Sequence, residues 1–411
     1  MVVEGIGRIK NEFERMNYIC VLSLAGINDS RARRTISSMA NENVTIDYFF
    51  IGDEIDELNL LVNDKINLYP IKRPKLSIKG KIINHSLVYL ESMFLIPKVQ
   101  EIGKSYDVIY AHDLPTSYAA YKLRTIATKI IYDVHDLYVE TLNQHFPSEV
   151  SFFKKIIFKT LLIQMRFFSK LWERKFIRTV DLVLTTNENY KFYIKEKYNV
   201  SNIIITPNYP EYIDLHKNTI IYEDLDIDKK KIIVLYHGAL NEGRYLREIV
   251  KASQYFDENI ILVIIGNGPL ETELKNLNSN NNKIYFKDLL PYEKLLRYIS
   301  GASIGIMLIK HINLSKKYAL ANKVTEYMAA GICVLGSNSP ENTKIISKYN
   351  SGKTIELIDQ YSIAKEINNL AKNRSNLDEL GMNGRRAFET SLNWNIVKMD
   401  FDKSFKQLIE K

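Results

Sequence analysis

Residues 322–336 read NKVTEYMAAGICVLG, a short helical period with a lysine and a glutamate among apolar residues, followed at once by a β-branched run. Asn322 suits a helix N-cap and Gly331 the position just past a helix end, so the stretch predicts about two turns of helix and then a buried strand. At roughly 100° per residue, Val324 and Met328 face inward while Asn322, Lys323, Glu326 and Ala330 share the opposite side. A helix start offers unpaired N–H groups and partial positive charge. With Lys323 it forms an anion site, and Glu326 one turn on accepts hydrogen bonds from hydroxyls. Phosphate beside a diol describes a nucleotide. The competing reading is an ordinary solvated Lys–Glu pair, worth about 0.3 kcal/mol.

Outward from this unit, short β-branched runs alternate with helical periods through almost the whole chain, the pattern of βαβ units and parallel sheets covered on both faces. The fold class is α/β. In the first half the strands fall at 18–25, 44–51, 107–112, 129–135, 181–186 and 202–206; in the second at 231–238, 260–266, 283–286, 303–309, 332–336 and 352–357. Between the halves, PNYPEYIDLHKNTIIYEDLDID carries two prolines and an acidic cluster and reads as a linker. The division is therefore a first domain over 1–210, a linker over 211–230 and a second domain over 231–392. The closing helix, 393–411, repeats Trp394, Val397, Phe401, Phe405 and Leu408 at helical spacing and needs a surface to dock on. Two doubly wound domains present ligands at the carboxyl ends of their strands.

A chain of 411 residues, 46% hydrophobic and 25% charged, is expected to build two soluble cores. No signal-peptide pattern or membrane-spanning run is read, and Cys20 and Cys333 lie in apolar runs as buried thiols, which together suit a reducing cytoplasm. The net charge of +8 favours an anionic partner without choosing among nucleotides, lipids and nucleic acid. No basic residues are organised as a nucleic-acid module.

Two further loops add to the anion site. YHGALNEGRYL ends a strand at Gly238 and supplies Arg244 near the next helix, a cation for a diphosphate. VIIGNGPLETEL brings Gly266, Asn267 and Gly268 to a strand end, where the backbone is expected to approach a ligand closely. As a dinucleotide fingerprint it is incomplete, since Glu271 stands at the third glycine position.

Together, SGASIGIMLIK…NKVTEYMAAGICVLGSNSPENTKII, YDVIYAHDLPTSYAAYKLRTIATKIIYDVHDLYVET, WERKFIRTVDLVLTTNENYKFYIKEKYNVSNIIITPNYP and NGRRAFETSLNW resemble, in order, the retaining glycosyltransferases of family 4, which have the GT-B fold. The resemblance implies that Glu326 holds the nucleotide ribose, that Asn322 and Lys323 lie by the diphosphate, and that Arg244 acts as the phosphate-clamp cation. His135 matches the first-domain histidine that contacts the transferring sugar; a packing histidine is its plainer account. His112 and Asp113 end another strand and would line the cleft, with helix capping as the blander role for Asp113. Gly26, Asn28 and Arg31, in GINDSR, would shape the acceptor side.

The departures are specific. The first acid of the family's Glu-x7-Glu pair falls at Tyr318, and the usual clamp arginine at Ala239. Members reading NK-x-x-EYMAAG share the first change, so it reads as a subfamily trait. With no convincing Asp-x-Asp loop, Arg244, Lys323 and helix N-termini are expected to neutralise the leaving diphosphate without metal or cofactor. Two alternatives remain: a catalytically silent GT-B partner subunit, and a sugar-nucleotide epimerase of the same fold.

One stretch stands outside this scheme. FFKKIIFKTLLIQMRFFSKLWERKFIR, 152–178, interleaves aromatics and aliphatics with Lys and Arg and reads as a basic amphipathic helix. It would lie on an anionic bilayer and suit a lipid-linked acceptor, making the protein peripheral on the inner membrane face. In the competing account one face packs on the first sheet and the basic residues merely solvate the other.

Overall fold

A computed structural model describes residues 17–25, 29–41, 43–52, 64–72, 88–142, 152–277 and 282–409. The first sheet contains β1 (Asn17–Ser23), β2 (Val44–Ile51), β3 (Ile66–Ile71), β4 (Tyr106–His112), β5 (Ala127–Val134), β6 (Leu182–Thr185) and β7 (Ile203–Ile205). They run parallel in the order β3-β2-β1-β4-β5-β6-β7, with Ile19 paired to Ile46 on one side and Val108 on the other. The second sheet contains β8 (Ile232–His237), β9 (Ile260–Ile265), β10 (Ile284–Lys287), β11 (Ile304–Met307), β12 (Cys333–Ser337) and β13 (Gly352–Ile355). Its order is β10-β9-β8-β11-β12-β13, again parallel.

The unbroken apolar runs follow from burial on both sheet faces. Along β8, Ile232, Val234 and Tyr236 enter one core cluster while Ile233 and Leu235 enter the other. Successive side chains of a strand point to opposite faces, so both registers must be apolar. In each sheet the chain reverses its direction of winding next to the central strand, between β1 and β4 and between β8 and β11, which opens a crevice at the carboxyl ends.

Every strand expected from the sequence is present. The one missed, β3, is an edge strand reading INLYPI, in which Asn67 and Pro70 blur the apolar pattern. Proline is tolerated there because an edge strand leaves one side of its backbone unpaired. The expected linker is more than a tether: Ile220–Asp224 forms a short helix, and Leu215, Ile221, Tyr222 and Ile227 pack into the second core. The closing helix, Trp394–Ile409, returns to the first domain, where Phe401 and Phe405 pack among Ile19, Val21 and Tyr48. Trp394 fixes its start, donating from its backbone N–H to the Pro210 carbonyl at 2.8 Å and from Nε1 to Ser38 Oγ at 3.0 Å. Cys20 and Cys333 are fully buried free thiols. Among the described residues, no helix is long and apolar enough to cross a membrane.

Candidate active site

The strand ends of the two sheets meet at a cavity of about 430 Å³. The first domain contributes His135, Asp136, Thr186 and Asn208; the second contributes Tyr236 and His237 at the end of β8, Gly238 and Arg244 just after it, and Asn322, Lys323 and Glu326 from the Asn322–Ala329 helix. That helix is the predicted one, eight residues long, with Val324, Tyr327 and Met328 buried beneath it. Its cap differs from expectation. Ala321 is the N-cap and Asn322 the first helical residue, so the Asn322 side chain is free of capping duty and exposed at the cavity edge. Gly331 follows with φ +70°, the left-handed conformation expected there.

Lys323 lies back across the β8 loop. Its amine is 5.4 Å from the centre of the Tyr236 ring, and a Cβ on Gly238 would stand 3.0 Å from Nζ, so a glycine clears the lysine's path. Burial, and then the charge of Arg244, pull the Lys323 amine down to about 8, against the attraction of Glu326. Burial pushes the Glu326 carboxyl up, with Lys323 and Arg34 opposing. His237, which sequence reasoning missed, is 4% exposed, with Nε2 3.3 Å from Glu326 Oε2. Burial and the cations Lys323 and Arg244 hold its pKa well below the usual imidazole range, so it is neutral. Lys316 also lines the cavity, and its charge adds to the pressure on the Lys323 proton. The second domain's side of the site is thus a cationic wall of Arg244, Lys316 and Lys323 beside the Glu326 carboxylate.

The glycine loop after β9 does a different job from the one expected. Gly266, Asn267 and Gly268 stand behind the β8 loop, not at the cavity wall. A Cβ on Gly266 would meet Gly238 O at 2.1 Å, one on Gly268 would meet Leu240 O at 2.7 Å, and Asn267 O accepts from Leu240 N at 2.8 Å. These glycines let one backbone loop seat another, and the seated loop carries Gly238 and Arg244. Neither GNG nor its spacing in sequence could tell loop-on-loop packing from loop-on-ligand packing.

On the first domain, His112 ends β4, His135 follows β5, and Asp29 precedes the Ser30–Met39 helix after β1. The two Nε2 atoms are 3.1 Å apart, and His135 Nε2 is 2.7 Å from Asp113 Oδ2. Asp113, at φ +63°, makes no capping bond; its carboxylate accepts from His135 N at 3.1 Å, so it braces the histidine. Burial pulls His112 down, but hydrogen bonding to Asp133 and Asp29 and the charges of Asp113 and Asp133 outweigh it, to about 10. His135 likewise moves up, burial being overcome by the charge of and hydrogen bond to Asp113. A hydrogen on either facing nitrogen can be donated to the other or, from His135, to the Asp113 carboxylate. Asp29, His112 and His135 present ligand-type atoms within 4.8 Å of one another, the one such grouping of three or more acids, histidines or cysteines among the described residues.

Arg31 is not on an acceptor surface. It is 3% exposed, donating to Asp133 through Nε at 3.0 Å and Nη2 at 2.5 Å and to Thr206 O at 2.6 Å. It holds the floor under His112, whose Nδ1 is 3.6 Å from Asp133 Oδ2. Gly26 and Asn28 lie outside the described residues.

The two domains touch beside the cavity. Ser315 Oγ donates to Asp136 Oδ1 at 2.8 Å and accepts from Leu137 N at 3.2 Å, while Asn187 Nδ2 donates to Tyr318 O at 3.1 Å. Tyr318, standing where the resembled family places an acid, packs against the first domain's core and does not line the cavity. Its neighbours in space, not its place in the motif, decide its role.

Residues 217–387 match the family model for glycosyl transferases group 1. The matched span covers the end of the linker and nearly all of the second domain, and includes Gly238, Arg244, Lys323 and Glu326. In overall structure the chain is similar to sucrose-phosphate synthase from Thermosynechococcus elongatus, at TM-score 0.76 and 15% identity, covering 96% of this chain and 99% of that one. It is also similar to Anabaena HepE in complex with UDP and glucose, at TM-score 0.69 and 12% identity, covering 95% and 100%. A third neighbour is a putative UDP-N-acetylglucosamine 2-epimerase from Listeria monocytogenes, at TM-score 0.63 and 12% identity, covering 96% and 97%. No curated protein sequence gives a significant match. The two parallel-sheet domains, the cleft between them and the returning helix make the fold GT-B.

Proposed function

We propose that this chain is a retaining glycosyltransferase of family 4 that moves a sugar from a nucleotide-diphosphate sugar, of UDP or GDP type, to a glycan or lipid-linked glycan in cell-envelope polysaccharide or glycoconjugate assembly. The observation that carries the reading is one cavity holding Arg244, Lys316 and Lys323 beside the Glu326 carboxylate, with His135 on the opposite wall. In this reading the diphosphate lies along Lys323, Gly238 and Arg244, and the ribose hydroxyls donate to Glu326. The sugar then points toward His135. The group 1 match over this half, and a neighbour crystallised with UDP and glucose, support that assignment.

The chemistry follows from the groups present. Charge that develops on the leaving diphosphate meets fixed cations in a partly closed site, where they act more strongly than in water. The side chains supply that compensation themselves, so transfer proceeds without a divalent cation. Front-side attack through an oxocarbenium-like state retains the configuration. The acceptor hydroxyl passes its proton to the departing phosphate, and His135, braced by Asp113, orients the sugar.

The test is a thermal-shift panel of nucleotide sugars, in which a ligand at a hundredfold excess over its Kd stabilises the native state by about 2.7 kcal/mol. One donor class is expected to raise Tm, and EDTA to leave turnover intact. Absence of any shift would favour the silent partner. An epimerase is the second reading, favoured by His135 at the cavity wall, joined behind it to His112 and Asp113; conversion of donor in the absence of acceptor would establish it.

A further inference from the structure

The Phe152–Ile177 helix is 26 residues long, and its described side chains divide into a buried side and an exposed one. Met165, Ser169, Glu173 and Phe176 are buried, and Trp172 donates to Ser117 Oγ at 2.8 Å. The other side leaves Ile163 61%, Phe167 56%, Phe168 50% and Leu171 50% exposed, with Ile156 at 51% a further two turns back. Single exposed apolar residues are ordinary, but these recur at i, i+4, i+5 and i+8 and form one continuous stripe.

The stripe is edged by one sign of charge. Lys159, Lys170, Arg174 and Lys175 are exposed along it, with Arg178 just past its end. Glu173 is the helix's single acid, and it is turned inward, 5% exposed, accepting from Tyr132 and Tyr198. Lys122 and Arg124, exposed on the neighbouring turn, extend the basic edge, where Tyr118 and Tyr121 stack around Trp172. Apolar side chains flanked by cations and amphipathic aromatics, with no acid among them, complement a surface that is greasy within and negative at its face.

We propose that this outer face binds an anionic phospholipid bilayer, the helix lying in the plane of the interface with Phe167, Phe168, Ile163 and Leu171 inserted at the headgroup boundary. The placement has a functional edge. Arg166, on the inner flank, pairs with Glu140 on the short helix that begins two residues after the cavity residue Asp136. Docking therefore holds the cleft rim close to the lipid surface. The proposal stands apart from the sugar-transfer reading, because it rests on a different face.

The test uses the full chain with vesicles of phosphatidylcholine alone and of phosphatidylcholine mixed with phosphatidylglycerol. Co-sedimentation is expected with the mixed vesicles only, and to weaken in high salt. At about fivefold per basic residue, the pair Lys170→Glu and Arg174→Glu is expected to lower partitioning by at least about thirtyfold. Phe167→Asp with Phe168→Asp is expected to abolish insertion. The chain has two tryptophans, and Trp394 is 4% exposed at the start of the closing helix, so brominated acyl chains are expected to quench Trp172. Unchanged melting and nucleotide response would show that each variant is folded. The proposal is overturned if the wild type ignores anionic vesicles, if the variants bind as well as the wild type, or if the substitutions instead convert a dimer to a monomer.

Discussion

Lys323 gives the sharpest test of the donor site. Its amine is depressed from the ordinary 10.5 to about 8, first by burial and then by Arg244. A diphosphate placed between these cations would remove the cause and return the amine toward its usual value. Above about pH 8, binding must therefore recruit a proton, and affinity is expected to fall by about tenfold, or 1.36 kcal/mol, for each further pH unit until the amine of the complex itself titrates. The fold responds in the opposite sense. Between about 8 and 10.5 the unfolded chain holds a proton that the native amine has lost, so this group makes the ligand-free protein more stable as pH rises through that window. Isothermal titration of UDP and GDP from about pH 7 to about pH 9, on wild type and Lys323→Met, isolates the effect, because titration of the nucleotide itself is common to both proteins. The wild type is expected to lose about tenfold more affinity over the range than the variant. Parallel slopes would refute the placement of Lys323 at the diphosphate.

Glu326→Ala is expected to weaken nucleotide binding by about 10- to 100-fold, the worth of a hydrogen bond to a charged group, and unchanged affinity in the same titration would remove the ribose from that side chain. Gly266→Ala places a Cβ 2.1 Å from Gly238 O at φ +145°, and is expected to destabilise the second domain by about 3 kcal/mol or more, read by urea unfolding. A wild-type midpoint would show that the two loops do not seat on one another. Arg31→Leu strands the fully buried Asp133 and is expected to remove about 3 to 5 kcal/mol of stability; a merely surface role would leave less than about 0.5 kcal/mol, within the scatter of ordinary substitutions.

What the sequence made legible was whatever is repeated locally. Strands buried on two faces are written as unbroken β-branched runs, and twelve of the thirteen strands among the described residues were found because they stand between helical periods. The edge strand at Ile66–Ile71 pairs on one side, so its composition carries half the signal. Lys323 and Glu326 were legible because helical spacing alone puts them on one face. His237, Lys316 and Asp136 were not, since each becomes a cavity residue through a contact between distant segments. Arg31 shows the same limit in reverse. GINDSR reads as a polar surface loop, yet Asp133, 102 positions later, draws its guanidinium inward. The Asn322 cap failed by a single position, because the backbone turns into the helix at Ala321.

The returning helix sets an order of events during synthesis. The seven strands of the first sheet leave the ribosome before the second domain, but Phe401 and Phe405, which roof Ile19, Val21 and Tyr48, are made only after it. Throughout translation of the second domain, that patch of the first sheet stays unroofed and open to chaperones or to other nascent chains. Loss of the final turns would strike the domain built first. A stop codon before Phe401 would leave the second domain intact and the first, made earlier, unfinished.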